Sequence, residues 1–459
     1  MASGVLAWEN PAGLRRMLPV AVFAFLGLLG AWATFVHVDD TDADLYRTVV
    51  RNLATDGAWL NLRYLPSAYP EFREHLPFGF WPYALAQRAG EQGPVVLAWG
   101  VSMGTLALLA RRNLLAAFFL GTVASFFELA ATVRLDHVLV LATTGAGLAL
   151  LDDAEVGPTD PKTRWRPWLF AAGCTAVAVA VKGPFGLVPV AAIVLSRAML
   201  ERRVEPLMLG IGVGLVSLAG PALFLLDAWR EGNSWYSGYL VNQLAASAVG
   251  ARVDETTALE PWRAVAERFW PWLPIALWAL YQTARHRALR LQGLSLVLML
   301  LALGVPGRRV WNHALIAFPF LALWLAESLN LARLRSLAGA ATWTVAAATS
   351  VGLAAVALGV PGRWRTCVVP REAVEFSRTH PPQSLAVVRP PDDGQWKVLA
   401  VLAGEYGAVP RLVDSLEEAS ARDALAVLTN GEAPGWTCTA ATTWRFCAPR
   451  SETRADDPR

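Results

Sequence analysis

Pro206-Leu207-Met208-Leu209-Gly210-Ile211-Gly212-Val213-Gly214-Leu215-Val216-Ser217-Leu218-Ala219-Gly220-Pro221-Ala222-Leu223-Phe224-Leu225-Leu226 runs without a charge, after Arg202 and Arg203 and before Asp227. A helix that crosses the hydrocarbon core of a bilayer needs about 20 apolar residues, each adding about 1.5 Å of rise. This stretch meets that length unaided. The rest of the chain agrees with it: of 459 residues, 55% are hydrophobic and 17% charged, against about 45–50% and 25% in soluble domains. Mean hydropathy is +0.38. The composition excludes disordered and collagen-like chains. A net charge of +3 is too small for a nucleic-acid partner, and four cysteines exclude a disulfide scaffold. Lysine is confined to Lys162, Lys182 and Lys397, so each is worth a reason.

Working outward from 206–226, further apolar stretches lie at 18–36, 94–110, 113–131, 135–151, 167–181, 185–200, 269–283, 293–306, 313–331 and 337–360. That makes about eleven spans. The short ones could also be half-buried or re-entrant helices. Arginine and lysine collect in cytoplasmic loops. With the N-terminus inside, Arg15/Arg16, Arg111/Arg112, Lys162/Arg164/Arg166, Arg202/Arg203, Arg285/Arg287/Arg290 and Arg333/Arg335 all fall in inside loops. The C-terminus is then outside. Ala31-Trp32-Ala33 after an apolar run also fits a signal-peptide cleavage site, but the acidic segment behind it makes better sense tethered to the membrane.

The outer face carries two long loops, 37–93 and 227–268, and a tail from 361 onward. Loops carry function more often than the elements they join. The first loop opens His37-Val38-Asp39-Asp40-Thr41-Asp42-Ala43-Asp44-Leu45-Tyr46. Leu45, Val49 and Leu53, with Val50 and Ala54, form a helical stripe. The spacing predicts a short amphipathic helix over about 43–55, stopped at Asp56-Gly57, suited to lie in the membrane interface. One aspartate would cap it; four within six residues repel one another and point to an acidic site.

Asp42-x-x-x-Tyr46, then Gly57-Ala58-Trp59, resembles the first-loop signature of the polytopic GT-C glycosyltransferases, nearest to the protein O-mannosyltransferase and lipid A aminoarabinose transferase families. The family's Glu after the Asp is Ala43 here. Where the family has Lys-Pro-x-x-x-x-Trp, this chain has His75-Leu76-Pro77-Phe78-Gly79-Phe80-Trp81. Arg134-Leu135-Asp136, Val181-Lys182-Gly183-Pro184-Phe185, Tyr239-Leu240-Val241-Asn242, Glu260-Pro261-Trp262 and Arg308-Arg309-x-Trp311 through Phe318-Pro319 follow in the family's order. The resemblance covers about 1–330. It implies an all-α polytopic membrane domain of GT-C type over 1–360 and an inverting transferase in the cytoplasmic membrane. Such an enzyme moves a sugar from a polyprenyl phosphate to a glycan, lipid or protein hydroxyl at the outer face.

That chemistry needs a base for the acceptor proton and cations for the departing phosphate. Asp42 fits the base by family position, with Asp136 as a second acid. Candidates for the phosphate are Lys182, Arg308, Arg309, Arg134 and His75. Tyr46, Trp81 and Asn242 are candidates for positioning the acceptor or the loops. Each has a plainer reading: Lys182 snorkels at a span end, Arg308 and Arg309 anchor at the interface, Arg134 and Asp136 pair structurally, and His75 is satisfied within its loop. The i, i+2 spacing of Arg134 and Asp136 argues against their facing each other on one helix. His37, His75, His137 and His313 map near the outer face, so a divalent cation is conceivable, but no dense ligand spacing marks a metal site and no cofactor is required.

The tail, 361–459, has no span and reads as a small α/β domain outside the membrane. Strands are expected at Leu385–Val388 and Ala424–Leu428, and helices at Glu372–Arg378 and Val398–Tyr406. Cys438 and Cys447 could pair in an oxidising compartment, with Cys367 as competitor. Two other classes stay open. A transporter predicts internal repeats and charges in mid-span. A non-catalytic envelope-assembly protein predicts that Asp42 is dispensable.

Overall fold

The computed structural model describes residues 41–65, 72, 74–130, 132–156, 165–230, 239, 245, 257–306, 311–331, 371–381, 384–389, 399, 402–403, 410–421, 424–429, 433–434, 436–438 and 444–449. The expected spans 18–36 and 337–360, and Arg308, Arg309 and Asn242, lie outside them.

Helix α1 (Thr41–Asp56) begins the described chain, followed by α2 (Trp81–Ala89), α3 (Gly93–Arg112), α4 (Leu114–Gly121) and α5 (Ala124–Ala130). Then come α6 (Leu135–Val156), α7 (Trp165–Lys182), α8 (Val188–Glu201) and α9 (Glu205–Arg230). The helical body closes with α10 (Glu260–Arg268), α11 (Leu273–Arg285), α12 (Arg287–Gly304) and α13 (Phe318–Leu331). Six stretches among the described residues are long and apolar enough to cross a membrane: Gly93–Arg112, Leu135–Glu155, Trp165–Glu201, Glu205–Leu226, Arg287–Gly304 and Asn312–Leu329. The expected spans 167–181 and 185–200 share the third of these.

Two expected spans are built from shorter pieces. The 113–131 stretch is split into α4 and α5 at Thr122, whose hydroxyl donates to the Phe118 and Phe119 carbonyls. The 269–283 stretch opens with a 3-10 turn at Trp270–Trp272 before α11. Proline at 271 and 274 disfavours a continuous helix there.

Between α7 and α8 the chain breaks at a 3-10 turn, Gly183–Leu187. Gly183 takes φ +61°, a left-handed conformation that suits glycine, and Pro184 cannot continue the helix. The chain reverses there: Arg197 near the end of α8 lies over the ring of Trp168 near the start of α7.

Charges mark the far ends of these helices. Arg112 bonds Asp152, Glu155 and Glu327, and Arg197 bonds Asp153 at 2.6 Å and Glu201 at 2.9 Å. Asp136 and Asp152 are at opposite ends of α6, about 24 Å apart by helical rise.

The tail forms a five-stranded sheet in the order β2-β1-β3-β5-β4, from β1 (Leu385–Val388), β2 (Arg411–Val413), β3 (Ala426–Thr429), β4 (Trp436–Cys438) and β5 (Arg445–Pro449). β1 pairs in parallel with β2 and β3, while β5 runs antiparallel to β3 and β4. Helices α14 (Arg371–Thr379) and α15 (Leu416–Ala421) accompany it. Cys438 faces Cys447 across β4 and β5, and the two form a disulfide.

Helix α1 departs from its expected setting. Val49, Val50 and Leu53 are fully buried, in a hydrophobic core that also holds Leu399, Leu402 and Ala403. Arg51 donates to the Ala403 carbonyl at 2.7 Å. The apolar stripe is therefore covered by protein, not by lipid.

Candidate active site

Four charged side chains from three separated segments alternate in sign at one end of the helical body. Asp42 comes from the first turn of α1, Arg134 from the residue before α6, Asp136 from the first turn of α6, and Lys182 from the last residue of α7. Arg134 Nη2 lies 3.5 Å from Asp42 Oδ2, and its Nη1 lies 3.7 Å from Asp136 Oδ2. Lys182 Nζ donates to Asp136 Oδ1 at 2.6 Å. Arg134 and Asp136 do meet, against the expectation from their spacing. Arg134 precedes the helix, so the helical i, i+2 geometry does not apply to it.

Exposure divides the two acids. The Asp136 side chain is 2% exposed, Arg134 8% and Lys182 9%, whereas Asp42 is 45% exposed. Asp136 is thus a buried anion between two buried cations, and Asp42 is the carboxylate that opens to solvent. Tyr83 fixes the segment before α6 by donating to the Arg134 carbonyl at 2.7 Å. His313 comes from a 3-10 turn, Trp311–Ala317, with its ring centroid 4.5 Å from that of Phe185.

Tyr46 stands one turn after Asp42. Its hydroxyl is hydrogen-bonded to His75 Nε2 at 2.7 Å, and its ring meets Phe72, His75 and Phe80 edge-on. Burial, reinforced by the nearby Asp42 charge, pushes the Tyr46 phenol well above its usual 10. Trp81 donates to the Trp59 carbonyl at 2.7 Å and packs against Phe78. Of the residues singled out in the sequence, the structure brings Asp42, Arg134, Asp136 and Lys182 together. His75 is placed against Tyr46, and Trp81 against Trp59 and Phe78.

His137 is buried with Nδ1 3.0 Å from Ser102 Oγ and Nε2 against the Leu129 carbonyl, so it joins α3 to α6. Among the described residues no three of His, Cys, Asp and Glu converge as a metal site. Tyr83 and Tyr239 are not selected from sequence, and His313 is singled out there only among the outer-face histidines. Tyr239 and His313 do stand inside the motifs quoted above. Tyr83 carries no local signal, because its partner is a backbone carbonyl about fifty residues away.

The sequence matches no protein-family model and no curated protein. The fold does have solved counterparts. ArnT from Cupriavidus metallidurans bound to undecaprenyl phosphate matches with a TM-score of 0.69 at 15% identity, over 96% of this chain and 98% of that one. The apo state of the same protein matches at 0.67 and 16%, with the same coverage. The chain therefore shares the polytopic fold of ArnT, as its ordered loop motifs had implied.

Proposed function

We propose that this chain is an inverting glycosyltransferase of the membrane, taking a sugar from a polyprenyl-phosphate donor and placing it on an envelope acceptor hydroxyl. The observation that carries the reading is the chain Asp42–Arg134–Asp136–Lys182, built into an ArnT-like fold. Asp42 is the solvent-accessible carboxylate and acts as general base. It takes the acceptor proton as the acceptor oxygen bonds to the anomeric carbon. The bond from that carbon to the phosphate oxygen breaks, and its electron pair leaves with the lipid phosphate.

Lys182 and Arg134 face that developing charge, with Arg308 and Arg309 as further cations. Asp136 holds Lys182 and Arg134 in place between turnovers. Buried between two cations, it is better suited to that task than to meeting an acceptor. We read the orientation from charge. Arg112 and Arg197 meet Asp152, Asp153 and Glu155 at the end of α6 opposite Asp136, which supports the site lying outside and these arginines inside. The membrane domain then ends near 360, and 361–459 is an outer domain.

The test is turnover of a radiolabelled undecaprenyl-phosphate sugar by purified protein. A panel of donors is to be read beside envelope glycans and glycolipids from cells with and without the gene. A missing sugar names the reaction. An unchanged envelope together with no transfer from any donor rejects the reading.

A further inference from the structure

The turn that ends α7 holds a second, unassigned feature. A Cβ built on Gly183 would lie 2.5 Å from the Tyr239 hydroxyl oxygen, closer than real Cβ contacts come. The phenol therefore occupies the space a side chain would take at the residue after Lys182. Gly183 also has φ +61°, so the turn requires glycine for two independent reasons.

Tyr239 belongs to the second long loop, and it is held from two further directions. Leu76, Phe78, Phe224 and Leu225 pack around it, and Phe78 meets Phe224 edge-on at 5.0 Å. Leu76 and Phe78 of the first loop, Phe224 and Leu225 of α9, and Tyr239 thus converge on the Lys182–Gly183 turn. Hydrophobic packing alone would place a phenylalanine here. A tyrosine directs an O–H donor at the turn that carries Lys182. Burial pushes that phenol up to about 12, so it keeps its proton at neutral pH and can donate.

Building on the proposed function, we infer that Tyr239 is a donor to the phosphate of the lipid-linked substrate, held over the Lys182–Gly183 turn by the absence of a side chain at Gly183. Lys182 supplies charge, and Tyr239 a directed neutral hydrogen bond that strengthens as the leaving oxygen becomes negative.

Tyr239→Phe tests this, because it removes the hydroxyl and leaves the ring in place. Undecaprenyl phosphate is the probe, titrated into purified protein in detergent, with turnover measured beside it. Binding is expected to weaken by about 10–100-fold, as for a hydrogen bond to a charged group. Turnover is expected to fall by about 10²–10³, the usual effect of losing one oxyanion donor. Gly183→Ala should act in the same direction by displacing the hydroxyl. With phenylalanine at 239 the added methyl meets only the ring carbon, at 3.8 Å, so in that background Gly183→Ala should lose the steric part of its cost and keep only that of the positive φ.

Unchanged binding and turnover in Tyr239→Phe, whatever its thermal stability, overturn the inference. So does full additivity of the two substitutions. If the unaltered protein fails to bind undecaprenyl phosphate, the proposed function falls instead, which keeps the two failures distinct.

Discussion

Replacing Asp136 with asparagine preserves shape and removes one charge from the middle of the buried chain of ions. Two cations that are 8% and 9% exposed then lose their shared anion. Breaking a buried pair from one side typically costs about 3–5 kcal/mol, because the remaining charge stays desolvated. The loss should fall unevenly. Arg134 keeps Asp42 at 3.5 Å, whereas Lys182 loses a 2.6 Å hydrogen-bonded partner. By distance alone, the attraction of Asp136 for Lys182 exceeds that for Arg134 by about 1.4-fold, from 2.6 Å against 3.7 Å. The shorter pair adds a charge-assisted hydrogen bond. Two double-mutant cycles measure this by denaturant unfolding in detergent micelles, one pairing Asp136→Asn with Lys182→Met and the other with Arg134→Met. The Lys182 cycle should give the larger coupling, within the usual range of about 0.5–3 kcal/mol. Removing both partners should be milder than removing Asp136 alone. Additive cycles, or Asp136→Asn unfolding like the unaltered protein, would refute Asp136 as the anion that holds both cations.

Asp42→Asn should lower turnover by about 10²–10⁴ with undecaprenyl-phosphate affinity retained, read from single-turnover rates beside equilibrium binding. Equal losses in both would make Asp42 a binding group. Tyr46→Phe should cost about 0.5–1.5 kcal/mol of stability, by loss of the bond to His75. The raised phenol of Tyr46 gives that stability a pH sign. Its protonated form is favoured by folding, so the contribution is complete below the unfolded value near 10 and lost as pH rises above it. Unfolding midpoints between pH 8 and 11 should therefore fall less in Tyr46→Phe than in the unaltered protein. Replacing both Cys438 and Cys447 with serine should destabilise the sheet of the tail by about 2–5 kcal/mol, seen as protease cleavage within 371–449.

Much of this was legible because the bilayer imposes a simple rule on sequence. Stretches such as 206–226 declare themselves by length and lack of charge, and Asp56-Gly57 ends α1 where expected, with Gly57 at φ +69°. The strand at Leu385–Val388 reads from its unbroken apolar run. Arg411–Val413, Trp436–Cys438 and Arg445–Pro449 did not read as strands. They are short, and a strand made by pairing with distant neighbours needs no periodicity of its own. The breaks at Thr122 and Trp270 were also missed, since hydropathy averages over a window and does not sense a local turn. In the site, residue types were legible and partnerships were not. Helical spacing rules argued against Arg134 meeting Asp136, and only the position of the α6 start decides it.

The setting of α1 gives the tail a mechanical place in the proposed reaction. Asp42 sits at the helix start with nearly half its side chain open to solvent and Arg134 3.5 Å away. Its position is set by the rest of α1. Tyr46 is bonded to His75, Asn52 donates to the Tyr64 carbonyl at 2.7 Å, Arg88 donates to the Ala54 carbonyl, and Arg51 donates to the Ala403 carbonyl. Three of these ties stay within the first loop and the helix after it. The fourth reaches a residue 352 positions away. A base must stay within about 3 Å of the proton it accepts, and misplacement by about 1 Å can cost 10²-fold in rate. On the role proposed for Asp42, the tail contributes without supplying a reacting group, by completing the clamp on the helix that carries this carboxylate.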